Sequence, residues 1–207
     1  MKLAQHERRA HESHQSALAG CRRRQLLVLG SCALFGATSA GASATKAAPP
    51  ELAADIPGAR LQGSGRLRFL GLQVYDVRLW SGPSPVQADW TATPLALEIE
   101  YLRSLPGGQI AERSLKEMRR QGEIANDTAE RWLNTMKETF PDVRAGDRLT
   151  GVSVPGQGAR LFFNGASRGD IREPEFARMF FGIWLSPRTS EPAIRQALLG
   201  PAFGGSR

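Results

Sequence analysis

Leu95-Ala96-Leu97-Glu98-Ile99-Glu100-Tyr101-Leu102 decides the fold class. Leu95, Leu97, Ile99 and Tyr101 fall on one side and Glu98 and Glu100 on the other. A period of two belongs to a pleated strand, and the glutamates predict that its second face is wet. Before this stretch, Arg66 to Trp80 also reads as β. Leu72 and Val74 alternate with Gln73 and Tyr75, Tyr75, Val77 and Leu79 share a face, and Gly71 predicts a bulge or bend between two strands. Ser81-Gly82-Pro83-Ser84-Pro85 is a loop.

After it the period changes. Residues 109–121 set Ile110, Ser114, Leu115 and Met118 on one helical stripe, with Gly122 as the stop. Residues 128–140 predict a second helix behind Asp127, with Glu130 at capping-box spacing and Pro141 as the end. Strands return at 148–154 and 159–163 around Pro155-Gly156-Gln157-Gly158, and Asn164-Gly165 turns the chain into a strand at about 166–168. Helices follow at about 174–185, with Pro174 in the first turn, and at about 191–199, capped by Ser190 and closed by Gly200. Hairpins rather than crossovers join the strands. The reading is α+β, a mostly antiparallel sheet with helices packed on one face.

Residues 1–44 read as a signal peptide. Arg22, Arg23 and Arg24 precede an uncharged run from Leu26 to Ala37, and Ala42-Ser43-Ala44 supplies the small-x-small cleavage pattern. The run is well short of the ~20 residues a spanning helix needs, so no membrane span is expected once the signal is removed. Arg23-Arg24-Gln25-Leu26-Leu27 resembles a twin-arginine signal. The expected location is periplasmic or secreted. Residues 45–60, rich in Ala and Pro, read as a linker leading into one domain over 61–207.

Export changes the chemical inventory. Cys21, Cys32, His6, His11 and His14 all lie in the leader, so the remaining chain carries no thiol and no imidazole. Disulfides, histidine-based triads and Cys/His zinc sites are thereby excluded. No dense Asp/Asn loop suggests calcium, and Gly156-Gln157-Gly158 lacks the helix and lysine of a phosphate loop. No catalytic residue, metal or cofactor is expected. The exported part has 21 Lys/Arg against 18 Asp/Glu, net +3, which is no nucleic-acid footprint. Its cations are nearly all arginine, with lysine only at 46, 116 and 137.

What remains is Arg and Tyr near the first strands. Alternation puts Arg66 and Arg68 on one face, where an arginine suits an anionic head group, and Tyr75 and Tyr101 are candidates to line the same cleft. Phe162-Phe163 and Phe176, Phe180, Phe181 and Trp184 read as core or as an apolar pocket wall.

An ordered set of short motifs resembles the bacterial chalcone isomerase-like proteins: Gly63-Ser64-Gly65, Val74-Tyr75-Asp76, Leu79-Trp80, Phe140-Pro141-Asp142-Val143-Arg144-Ala145-Gly146-Asp147, Asn164-Gly165, Phe176-Ala177 through Leu185, and Leu198-Leu199-Gly200. The resemblance runs from about 61 to 200. It implies an open-faced β-sandwich with helices on the large sheet and a cleft between them. In plants this fold serves enzymes that cyclise chalcones and proteins that bind fatty acids. The enzymes' strand arginine falls where Leu67 stands, their strand threonine falls near Tyr75, and no strand lysine matches theirs. The expectation is therefore a non-catalytic binder of an apolar small molecule with an anionic head, such as a fatty acid. An isomerase of the intramolecular-lyase type and an interaction module without a small ligand are the alternatives.

Overall fold

The computed structural model describes residues 46–87 and 89–200. The leader reading over 1–44 lies outside the described residues. Six strands form one sheet in the order β1-β2-β3-β4-β5-β6: β1 Arg60–Phe69, β2 Leu72–Ser81, β3 Leu95–Tyr101, β4 Arg148–Val154, β5 Gly158–Phe163 and β6 Ala166–Ile171. Every strand pairs antiparallel with its chain neighbour. Helices α1 (Gly107–Arg119) and α2 (Asn126–Thr139) lie between β3 and β4, and α3 (Pro174–Leu185) and α4 (Pro192–Leu199) follow β6. The α+β reading holds.

Of the two readings of Gly71, the structure shows the bend between two strands, as half of a tight turn. Phe69 pairs with Leu72, and Leu70 and Gly71 between them both take positive φ, 50° and 78°. Positive φ at both central residues is the type I′ geometry that matches the twist of paired strands. Asn164 and Gly165 repeat it between β5 and β6, at 49° and 85°. β6 runs to Ile171, beyond the three residues expected.

Two predicted caps are corrected. Helix α2 begins at Asn126, one turn position before Asp127, and Ala125 at its N-cap makes no side-chain bond, so the capping box does not form. Asp127 instead accepts from the Thr128 N–H at 2.8 Å. Helix α4 begins at Pro192 behind Glu191, leaving Ser190 outside it. The proline at the first helical position lacks the N–H a cap would satisfy.

The helices cover one face of the sheet. Val77, Leu79, Leu97, Leu149 and Leu161 meet Met118, Met136, Phe176 and Phe181 in the main core. Helix α3 is buried on nearly every side because it lies between the sheet and the outer helices, and an all-round apolar helix suits that position. Its Phe176 and Phe180 rings stack at 5.4 Å, and Trp132 of α2 meets Phe176 edge-on at 5.5 Å.

Around Glu98 the second face is not wet, which corrects the reading of that residue. Residues 46–59, expected as a linker, lie across that face. Leu52 and Ile56 pack on Trp80, Ala96 and Val152. Glu98 is fully buried beneath them. Its carboxylate accepts from Trp80 Nε1 at 2.8 Å, Lys46 Nζ at 3.1 Å and Arg78 Nη1 at 3.2 Å. Glu51 accepts from Arg148 at 2.9 Å and Asp55 from Arg160 at 2.9 Å, so the strap is tied down by ion pairs along its length. Alternation shows which side a residue faces; it cannot show what later covers that side.

Candidate functional site

Two residues from adjacent strands start the site. Tyr75 of β2 lies directly opposite Tyr101 of β3, and both face the helices. Their rings meet edge-on at 6.0 Å. Trp184 of α3 donates its indole N–H to the Tyr75 hydroxyl at 2.9 Å. The hydroxyl protons of Tyr75 and Tyr101 have no acceptor among the described residues. Burial pushes both hydroxyls well above the usual tyrosine range; at Tyr75 the Trp184 hydrogen bond partly offsets this, and at Tyr101 the neighbouring Tyr75 adds to it.

These hydroxyls face a cavity of about 370 Å³ between the sheet and helices α1 and α3. That volume sits within the ~300–1,000 Å³ of small-molecule sites. Its wall is mainly apolar, with Leu67, Ile99, Ile110, Phe140, Phe180 and Ile183 prominent. Two arginines reach its rim. Arg113 is held by Glu117 across one helical turn, Nη2 to Oε1 at 2.8 Å, and Arg120 also approaches Glu117 at 3.4 Å. Arg103, beyond the end of β3, is exposed and has no ion-pair or hydrogen-bond partner among the described residues. Glu191 from the α3–α4 connection shares the lining. Burial first, and then the nearby Glu117 charge, hold its carboxyl above the ordinary range, against an opposing pull from Arg113. Among the described residues, no group of three or more His, Cys, Asp or Glu could hold a metal ion.

Of the four residues expected to form the site, the fold brings Tyr75 and Tyr101 together and leaves Arg66 and Arg68 out. Leu67 pairs with Tyr75 and lines the cavity, so its neighbours on either side point to the opposite face. There Arg66 donates to Asp76 Oδ2 at 2.8 Å and to Gln73 at 2.8 Å. The Arg66 hydrogen bond and charge hold the Asp76 carboxyl below its usual value. Arg68 is exposed and does not line the cavity. The missed cation, Arg103, carried a signal: it lies two residues beyond Tyr101, in phase with the same strand face. Arg113 and Glu117 carried another, the i,i+4 spacing of a helical ion pair.

A family model described as chalcone isomerase-like matches residues 58–200. An uncharacterized protein of Haemophilus influenzae is 29% identical over 138 residues, which cover 67% of this chain and 66% of that protein. The match thus spans just under two thirds of that relative's length. Among solved structures, the crystal structure of an Arabidopsis thaliana fatty-acid binding protein is similar with a TM-score of 0.55 at 13% identity, covering 70% of this chain and 89% of that one. At that identity the likeness is one of fold.

Proposed function

We propose that this chain, which belongs to the chalcone isomerase-like family, holds an apolar ligand with an anionic head group, such as a fatty acid, in the cavity between its sheet and its helices. The observation that carries this reading is the pairing of an apolar cavity with two tyrosine hydroxyls whose protons lack an acceptor among the described residues, and with Arg103, which has no ion-pair or hydrogen-bond partner among them, at its rim. Hydroxyl donors that face an apolar cavity with no protein acceptor are placed to bond a ligand carboxylate. Burying an acyl chain contributes about 0.8 kcal/mol per methylene. The fatty-acid binding protein that shares this fold supports the choice of ligand class. Reading residues 1–44 as a leader puts this binder in the periplasm or outside the cell.

The test is direct. Purified protein is extracted in organic solvent and the extract analysed by mass spectrometry, and fatty acids of graded length are titrated by calorimetry. Arg103→Gln is expected to weaken carboxylate binding about tenfold or more, as for a lost charge-assisted hydrogen bond. Arg66→Gln, on the far face, is expected to leave it unchanged. Absence of any co-purified lipid, together with no affinity for any fatty acid, would sink the reading.

The raised carboxyl of Glu191 beside Glu117 favours one second reading, an isomerase of the intramolecular-lyase type acting on phenolic substrates. Incubation with chalcones, followed by absorbance, tests it; turnover abolished by Glu191→Gln would support it and absence of turnover would dismiss it. The third reading, an interaction module, expects a solid interior, and the cavity counts against it.

A further inference from the structure

The exposed large hydrophobic side chains among the described residues are Phe69 at 57%, Leu70 at 85% and Leu72 at 54%. All three belong to one feature, the tip of the β1–β2 hairpin. Single exposed leucines are ordinary, but three at one tip with nothing packed on them form a patch. The turn sharpens the point. Leu70 takes a φ of 50°, in the left-handed region where a type I′ turn normally carries Asn, Asp or Gly. A bulky apolar side chain there strains the backbone and exposes itself, and nothing inside the fold rewards it.

The charge around the tip has one sign. Arg66 and Arg68 lie on the strand leading into it, and residues 66–73 contain no acid. Asp76 balances Arg66, while Arg68 and Arg103 have no ion-pair partner among the described residues. The patch is also continuous with the cavity, because Phe69 and Leu67 line it together with Arg103. No described helix is long and apolar enough to cross a membrane.

We propose that the Phe69–Leu72 tip docks on an anionic lipid bilayer, with Leu70 and Leu72 in the interface and Arg68 and Arg103 on the head groups, and so presents the cavity mouth to the lipid. Shallow apolar insertion combined with cationic contacts is the mode of reversible interfacial binding. The docking stands on the tip alone; only its purpose, loading the ligand without carrying it through water, rests on the apolar-ligand reading.

The full chain and its Leu70→Asn/Leu72→Ser double variant are sedimented with vesicles of phosphatidylcholine alone and of phosphatidylcholine with phosphatidylglycerol. Any contribution from residues 1–44 is common to both proteins and cancels. The parent is expected to partition to the anionic vesicles about tenfold or more above the double variant, as two lost leucine insertions imply, and Arg68→Gln is expected to flatten the preference for anionic lipid. Asn at 70 suits the turn, so the variant is expected to melt no lower than the parent, and its fatty-acid affinity in solution is expected to be unchanged. Equal partitioning of parent and double variant would overturn the docking. So would a tip-dependent self-association on size exclusion without vesicle binding, which would assign the patch to a protein contact. Vesicle binding that persists while no fatty acid binds would refute the ligand reading and leave the docking standing.

Discussion

Trp184 of α3 donates to the hydroxyl of Tyr75 on β2 at 2.9 Å, across 109 positions of chain. This bond ties a helix to the strand that floors the cavity. Trp184→Phe keeps an aromatic ring and removes the donor. Destabilisation of about 1–2 kcal/mol is expected in chemical denaturation. A double-mutant cycle with Tyr75→Phe should return a coupling of about 1 kcal/mol, and strict additivity would show that the bond contributes nothing.

The chain has two tyrosines, and both face the cavity. Their folded-state hydroxyls titrate well above the ordinary value of about 10. A group whose folded pKa is raised stabilises the fold below its unfolded value. Above about pH 10 the unfolded chain releases these protons and the folded chain keeps them, so stability falls as pH rises further. Ultraviolet titration should therefore show tyrosinate only as the protein unfolds. Tyrosinate forming near pH 10 with the circular dichroism intact would refute the buried assignment.

Glu191 has the same consequence at lower pH. Its carboxyl is raised by burial and by Glu117, so the folded state holds a proton that the unfolded state has already released. Stability from this group is present below the ordinary carboxyl value and is lost as pH climbs through the raised one. Glu191→Gln is expected to be more stable than the parent at neutral pH, with the advantage shrinking toward zero as pH drops below about 4. Melting curves across pH check it; a constant difference would refute it.

Glu98 anchors the second face. Glu98→Ala leaves the buried Trp80 N–H without its acceptor and Arg78 with Glu100 alone, and is expected to cost about 2–3 kcal/mol. Lys46→Ala removes only a partly exposed partner and should cost under about 1 kcal/mol. Similar losses for the two variants in urea would show that the network is not organised around the carboxylate.

Gly63 has no room for a side chain. A Cβ there would lie 2.3 Å from the Ala197 carbonyl oxygen and 2.4 Å from that of Leu198, both backbone atoms of α4. Gly65 is looser, with the Ile194 side chain at 3.2 Å. Gly63→Ala is expected to cost about 3 kcal/mol by forcing the helix off the strand, and Gly65→Ala about 1 kcal/mol or less. Equal denaturation midpoints for the two variants would contradict this packing.

Local periodicity carried most of the fold. The alternation of 95–101, the stripes of α1 and α3 and the Asn164-Gly165 turn each report a preference that a few neighbouring residues decide among themselves. The errors fall where a distant partner decides. Arg66 and Arg68 were in correct phase with each other, yet the face they share was set by the Leu67–Tyr75 pairing. Asp127 is a sound cap residue, but α2 begins one residue earlier without it.

By itself the sequence determined which residues alternate, where the chain turns, which chemistry is missing after Ala44 and which family the motifs resemble, because all of these are local or compositional. Tertiary structure alone decided that Glu98 is buried beneath residues 46–59, that Arg103 rather than Arg66 stands at the cavity rim, and that Tyr75 meets Trp184. The physical reason is that burial and partnership belong to surfaces brought together over many tens of residues, and a short stretch of chain carries no record of what will be folded against it.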